Sequence, residues 1–178
     1  MDNDHFWDLI EQARRQATNP ADPDDVAARA ISLLASLEPA QILQAEQILW
    51  DLMAASYLAP LWAVAYQING GCSDDGFDYF RGWLIAQGRT TFERAIHDPD
   101  SLAYHSSVQQ AAAKGWDLEG EAVLGIAWEA HQAVTGSAPP ASSFTIRYPD
   151  LDAAWDFDFD DHKRIAARLP RIAALYPA

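Results

Sequence analysis

The residues best suited to chemistry lie close together in "GGCSDDGFDYFRGW", which runs from residue 70 to residue 83. If a helix begins at Asp74 or Asp75, then Asp78 and Arg81 are three residues apart on one face and form an ion pair. Asp75 and Asp78 are neighbours on that helix, so three carboxylates surround its start. Such a group could coordinate a divalent cation or supply a general acid and base. Acidic residues also stabilise a helix start without any ligand, because they face the positive end of its dipole.

Cys72 comes just before the same helix start, where the helix dipole lowers a thiol pKa and favours a nucleophilic thiolate. The carboxylates of Asp74 and Asp75 oppose that effect, and the sequence spacing fixes no histidine nearby. A small packed cysteine is the simpler interpretation. Because Cys72 is the only cysteine of the chain, it cannot form an internal disulfide or a cysteine-based zinc site.

The rest of the sequence contains no established motif for a metal or a cofactor. No two histidines have the four-residue spacing that places two zinc ligands on one helix face; the five are His5, His97, His105, His131 and His162. The acidic run "WDFDFDDH" resembles a calcium loop, but an EF-hand needs Gly at its sixth position and Glu at its twelfth. This chain has Asp161 and Ala167 there. We therefore expect no bound metal and no cofactor.

Charge and composition limit the classes of partner. The 178 residues carry a formal charge of −14, which repels phosphate backbones and argues against nucleic-acid binding. Seven tryptophans and six tyrosines on an acidic chain suit a basic protein or peptide, or a cationic small molecule. The longest apolar stretch contains Pro60 and is too short to span a membrane, and the first residues do not resemble a secretory signal. These features predict a cytoplasmic protein with no membrane partner, and the scarcity of lysine beside abundant arginine and alanine is typical of GC-rich bacterial genomes.

Helices are predicted to position the residues of the central segment. Apolar residues recur at helical spacing from Phe6 to Ala17, after Pro23, after Pro39 and after Pro60. Asp22 is the predicted cap of the second helix, and the glycines at 70 and 71 end the fourth. Ser73 or Asp74 caps the next helix, and Gly88 ends it.

The second half of the chain is predicted to be less regular. A helix with a threonine cap follows Gly88 and ends at Pro99, and another covers 119–134 despite Gly125. A β-like run at 144–148, an acidic aromatic loop and a helix of one or two turns from Asp161 complete the chain. The sequence thus predicts a mainly α, single-domain, multi-helix bundle. Its helical body is 1–137, and a short irregular or β-like extension, 138–178, packs on that body.

Three segments resemble the DUF4240 domain family of uncharacterised bacterial proteins. They are "MDNDHFWDLIEQAR", "YQINGGCSDDGFDYFRGWLIAQGRTTFERAIHDPDSLA" and "GEAVLGIAWEAHQAVTG", which all fall before residue 137. The tail after Phe144 lies outside the resemblance. The resemblance implies no particular activity, because the family has no assigned activity to carry over.

The leading functional hypothesis is a small non-enzymatic protein that binds a partner through one face of the central helix. That face carries Asp74, Asp75, Asp78, Arg81 and Trp83, with Cys72 beside it. Immunity to a toxin and attendance on a biosynthetic peptide are both compatible with such binding. One alternative is a carboxylate- or metal-assisted hydrolase that uses the three aspartates. Another is a scaffold whose central segment serves only the fold.

Overall fold

Eleven α-helices form most of residues 1–177, the part of the chain that the computed structural model describes. They are α1 (Asn3–Gln16), α2 (Pro23–Leu34), α3 (Pro39–Ala55), α4 (Ala59–Asn69), α5 (Asp74–Ala86), α6 (Arg89–His97), α7 (Ser106–Lys114), α8 (Glu121–Leu124), α9 (Ile126–Thr135), α10 (His162–Arg168) and α11 (Pro170–Leu175). Two 3₁₀ segments, Pro99–Tyr104 and Ala153–Trp155, complete the regular structure. The mainly α fold is confirmed. No strand occurs in 1–177, so the run at 144–148 is irregular and not β-like.

Several predicted helix signals act as expected. The Asp22 carboxylate accepts the N–H of Asp24 at 3.0 Å at the start of α2. The Ser73 hydroxyl accepts the N–H of Gly76 at 3.2 Å at the start of α5. Gly70 ends α4 with a φ of 64°, a left-handed conformation that favours glycine.

Two helix predictions were wrong in detail. The helix expected over 119–134 is broken at Gly125, whose N–H bonds to Ala122 in a tight turn, so that α8 and α9 are separate. No threonine caps α6; it follows Gly88, which has a φ of 89° and offers no side chain. At Gly88 the positive φ favours glycine and changes the backbone direction. The apolar spacing reveals neither this change nor the break at Gly125.

The core is formed where α1 packs on α2, where α2 and α3 pack on α9, and where α5 packs on α8. Large aromatic side chains fill much of it, including Phe6, Trp7, Phe77, Phe80, Trp83 and Phe92, all at most 2% exposed. Trp7 contacts Phe92 with ring centroids 5.3 Å apart. Helices α1 and α6 are therefore joined by aromatic packing.

Helix α5 approaches the start of α8 through two glycines. A Cβ atom on Gly82 would lie 2.3 Å from the carbonyl oxygen of Gly120, and one on Gly120 would lie 2.6 Å from the nitrogen of Trp83. The N–H of Gly120 donates to the carbonyl of Tyr79 at 2.9 Å. Only two residues without side chains allow this contact, which fixes α8 against α5.

The C-terminal extension contacts the helical body at defined points. Gln47 on α3 bonds both backbone groups of Thr145, at 2.8 and 3.3 Å. Arg147 pairs with Asp51 at 2.9 Å. These bonds hold the segment Phe144–Tyr148, called the strap below, along α3.

Asp100, in the Pro99–Tyr104 segment, fastens the end of the extension. Its buried carboxylate accepts the N–H groups of Arg171 and Ile172 at 2.8–3.1 Å and the Arg171 guanidinium at 2.8 Å. Asp98 pairs with the same guanidinium. The start of α11 is thus capped by a residue about seventy positions earlier in the chain.

No single helix within 1–177 combines the length and the apolar character needed to cross a bilayer. Helices α3 and α4 meet those criteria only as a pair, and they are bent by 87° at the break between them.

Candidate functional site

The predicted ion pair between Asp78 and Arg81 is present on α5. Arg81 is only 1% exposed, and its guanidinium also donates to the backbone carbonyls of Met53 and Phe77. It lies over the rings of Tyr57 and Phe77, 5.0 and 4.7 Å from their centroids. Burial lowers the pKa of Arg81, and the neighbouring Asp78 carboxylate opposes that shift. Arg81 therefore links α3 to α5 inside the protein and is not available to a partner.

Trp83 also differs from its expected place on a binding face. It is 1% exposed and packs against Phe80 and His105, with centroids 5.2 and 5.7 Å away. Trp83 follows Gly82 on the side of α5 that faces the body, so its indole contributes to the core. A partner on the surface of the folded protein cannot contact it.

The three aspartates of α5 separate into two kinds. Asp74 and Asp75 are exposed in the first turn, where they favour the helix dipole. Asp78 is half-buried and pairs with Arg81. Its carboxylate also accepts a hydrogen bond from the Tyr148 hydroxyl of the strap at 3.4 Å. Within 1–177 no group of three or more His, Cys, Asp or Glu side chains is arranged to hold a metal ion. The arrangement thus gives no support to the hydrolase hypothesis.

Cys72 is half-buried, and its environment raises the thiol pKa to about 12. Burial is the main cause, and the negative charge of Glu119 adds to it. These two effects outweigh the lowering of the thiol pKa that was expected from the start of the helix. Cys72 is therefore a neutral thiol at physiological pH and a poor nucleophile.

A different cavity, here called the Glu46 pocket, has the chemistry of a binding site. Its volume is about 680 Å³. The lining residues come from five helices and the strap: Asp24, Glu46, Trp50, Tyr79, Glu121, Ala122, Leu124, Gly125, Trp128, Glu129, Phe144 and Ile146. Four carboxylates and four aromatic rings are among them, and no lysine, arginine or histidine is. The pocket is therefore acidic and aromatic.

Glu46 is the unusual residue of this pocket. It is 3% exposed, and its Oε1 accepts the indole N–H of Trp50 at 2.9 Å. Its Oε2 is buried and has no hydrogen-bond partner among residues 1–177. Burial raises the pKa of the Glu46 carboxyl, while the Trp50 bond acts in the opposite direction. A buried acceptor without a donor costs free energy that a ligand could recover.

Helix contacts place the remaining groups around Glu46. The contact between Gly82 and Gly120 sets the position of α8 and hence of Glu121. The break at Gly125 lets α9 turn, so that Trp128, 41% exposed, and Glu129 face the same cavity. Gln47, the residue after Glu46, holds the strap that supplies Phe144 and Ile146.

Further acidic residues continue outward from the pocket. The pKa of Tyr79 is raised chiefly by the charge of Glu121, with smaller contributions from Asp75 and Glu119. These three exposed carboxylates, called the acidic rim, therefore lie within electrostatic range of the pocket. Asp75 is the one residue of the predicted binding face that belongs to this rim.

Sequence reasoning missed Glu46 because α3 was considered only for its apolar stripe. A signal was present, however. Ile42 lies four residues before Glu46 and Leu49 three residues after it, so Glu46 shares a helix face with buried neighbours. A carboxylate at such a position must be buried or must face a cavity.

Comparison with known proteins identifies a family but no activity. The family described as "Protein of unknown function (DUF4240)" matches residues 1–133. Neither a curated protein nor a solved structure matches the chain. The matched region contains α1 to α8 and most of α9, including every carboxylate of the Glu46 pocket. Because the match covers 133 of 178 residues, the chain belongs to the DUF4240 family.

Proposed function

We propose that this protein is a non-enzymatic binding protein that takes a lysine or arginine side chain of a basic peptide segment into the Glu46 pocket. The unpartnered Oε2 of Glu46 carries the proposal. An ammonium or guanidinium group supplies the missing donor, and its positive charge favours the ionised carboxylate. A charge-assisted hydrogen bond of this kind contributes about 1.5–3 kcal/mol.

The other lining groups support a cationic occupant. Trp50, Tyr79, Trp128 and Phe144 surround the cavity, and the faces of aromatic rings attract organic cations. Asp24, Glu121 and Glu129 add negative charge, and no basic side chain lines the pocket to compete with the ligand. An acidic ligand would meet repulsion from every side.

The acidic rim favours a peptide over a small amine. Glu119 and Asp75 extend the negative surface beyond the pocket that Glu121 lines. A peptide with several positive charges would be attracted by both the Glu46 pocket and the acidic rim. The protein's charge of −14 also speeds association with a basic partner.

Fluorescence anisotropy with a labelled peptide of alternating glycine and arginine tests the proposal. We expect the wild-type protein to bind this peptide and to show no binding to a peptide in which glutamate replaces each arginine. Glu46→Gln keeps the size of the side chain and removes its charge, so it should weaken binding about ten- to hundredfold. Affinity should also rise with pH through the elevated pKa of Glu46, because only the ionised carboxylate pairs with a cation.

The control variant is Asp156→Asn, which removes an equal charge from an exposed residue that lines a different cavity. Its affinity should match that of the wild type at physiological salt. Equal losses in both variants would mean that only net charge matters and would refute a specific pocket. If arginine methyl ester binds as tightly as the peptide, the ligand is a small cation and not a peptide.

A further inference from the structure

A second cavity, separate from the Glu46 pocket, has the opposite chemistry. It measures about 300 Å³ and lies where α6, the Pro99–Tyr104 segment and α7 meet. Its polar lining comes from Thr90, Thr91, Arg94, Ser101, His105 and Ser106. No carboxylate from the described part of the chain lines it, although the sequence has 26 acidic residues. Hydroxyl groups, one arginine and one histidine make it a cavity of donors.

Ser101 provides the observation that points to a ligand. It is 7% exposed, and its Oγ is buried without a hydrogen-bond partner. A hydroxyl in that state has lost its bonds to water and gained none from the protein. Because Ser101 lines the cavity, an acceptor bound there would satisfy it.

The start of α6 adds further unused donors. Gly88 precedes this nine-residue helix and provides no side-chain cap, so the first-turn N–H groups of Thr90 and Thr91 have no capping partner. Uncapped N–H groups at a helix start bind anions, and the helix dipole favours negative charge there. The two threonine hydroxyls lie in the same turn.

Arg94 and His105 complete the cavity. Arg94 is exposed and takes part in none of the ion pairs found within 1–177. The Nδ1 atom of His105 accepts the N–H of Ser107 at 3.3 Å, so the neutral ring carries its proton on Nε2. Burial lowers the pKa of His105, with a smaller contribution from the charge of Arg14. The neutral imidazole is thus a donor and not a second fixed charge.

We propose that this cavity binds the phosphate group of a small phosphorylated molecule, held by Ser101, Arg94 and the uncapped start of α6. A phosphate presents oxygens in several directions, which matches donors arriving from three chain segments. A carboxylate has only two oxygens and would leave some of these donors without an acceptor. The volume of about 300 Å³ is at the lower end for ligand pockets and leaves room for a small organic group. This proposal is independent of the Glu46 pocket.

Isothermal titration calorimetry with inorganic phosphate, phenyl phosphate and acetate tests the assignment. We expect phosphate to bind, phenyl phosphate to bind more tightly, and acetate to bind at least tenfold more weakly than phosphate. Ser101→Ala and Arg94→Gln should each weaken phenyl phosphate binding at least tenfold. Arg94 is exposed, so its variant keeps the proposal testable if Ser101→Ala impairs folding.

The matched control is Arg15→Gln, which removes an exposed arginine from α1. It should leave phenyl phosphate affinity unchanged, as should Glu46→Gln. An equal loss in Arg15→Gln and Arg94→Gln would show that only overall charge attracts the anion and would overturn the site. Absence of binding to the wild type would overturn it too, and acetate binding as tight as phosphate would overturn the choice of phosphate.

Discussion

Replacing Gly82 by alanine tests the glycine contact that positions α8. The new Cβ would start 2.3 Å from the carbonyl oxygen of Gly120, whereas separations below 3.0 Å essentially never occur. The obstacle is backbone, so no side-chain rotation can relieve it. Helix α5 and the start of α8 must therefore separate by about 0.7 Å or more, taken from the difference between those two distances. The bond from Gly120 to Tyr79 would be stretched or broken.

The expected magnitude follows from three contributions. Overpacking in a well-packed interior costs about 1–3 kcal/mol, and a lost backbone hydrogen bond costs about 1 kcal/mol. Alanine in place of glycine within a helix returns about 1 kcal/mol. We expect Gly82→Ala to lower the free energy of unfolding by about 1–3 kcal/mol. For a chain of this size each kcal/mol lowers Tm by about 2–4 °C.

The same substitution at Gly76 provides the control within α5. Its Cβ would meet the Ser73 hydroxyl at 3.4 Å and the Cys72 sulfur at 3.7 Å, which is ordinary contact. Gly76→Ala should therefore stabilise the protein by about 0.5–1 kcal/mol. Urea denaturation followed by tryptophan fluorescence measures both variants. If Gly82→Ala proves as stable as Gly76→Ala, the close packing of α5 on α8 is refuted.

Three other predictions concern buried polar groups. The pKa of Glu46 is higher in the folded protein than its ordinary 4.5, so its contribution to stability is full below 4.5 and is lost as pH rises through the folded value. Urea titrations should accordingly show Glu46→Gln gaining stability relative to the wild type between pH 4 and pH 7, and parallel profiles would contradict this. Cys72, with its pKa near 12, should react with iodoacetamide much more slowly than free cysteine at pH 7.5, and equal rates would contradict the burial argument. Asp100→Ala should lower the free energy of unfolding by about 1–3 kcal/mol or more, because it leaves the N–H groups of Arg171 and Ile172 without an acceptor. Limited proteolysis should then cut this variant first near α11. A cleavage pattern like that of the wild type would argue against the cap.

Local signals in the sequence were sufficient for the first five helices. Asp22, Ser73 and Gly70 act through neighbours two to four residues away, so their roles can be inferred from the sequence alone. The pairing of Asp78 with Arg81 is equally local, and the structure confirms it. Whether Asp75 contributes to binding stays a prediction.

Contacts between distant segments explain what the sequence did not reveal. The indole of Trp83 packs against His105, which lies beyond α6 in the chain, and the cap of α11 comes from Asp100. Helical spacing marks a residue as facing inward or outward but does not show which segment covers it. Glu46 becomes part of a pocket only through such contacts between segments. Its lining requires five helices and the strap to be in place.

The strap gives the Glu46 pocket a mixed origin. Its carboxylates come from the region that matches the family, whereas Phe144 and Ile146 lie beyond residue 133. The carboxylates of the pocket thus all lie in the matched region, whereas part of its apolar lining lies beyond that region. Under the proposed function, exchanging the strap alone would keep the affinity for a positive group and alter the preference for the residues flanking it. Changes in the strap would then adapt the proposed site to a different peptide without altering the helices that bury Glu46.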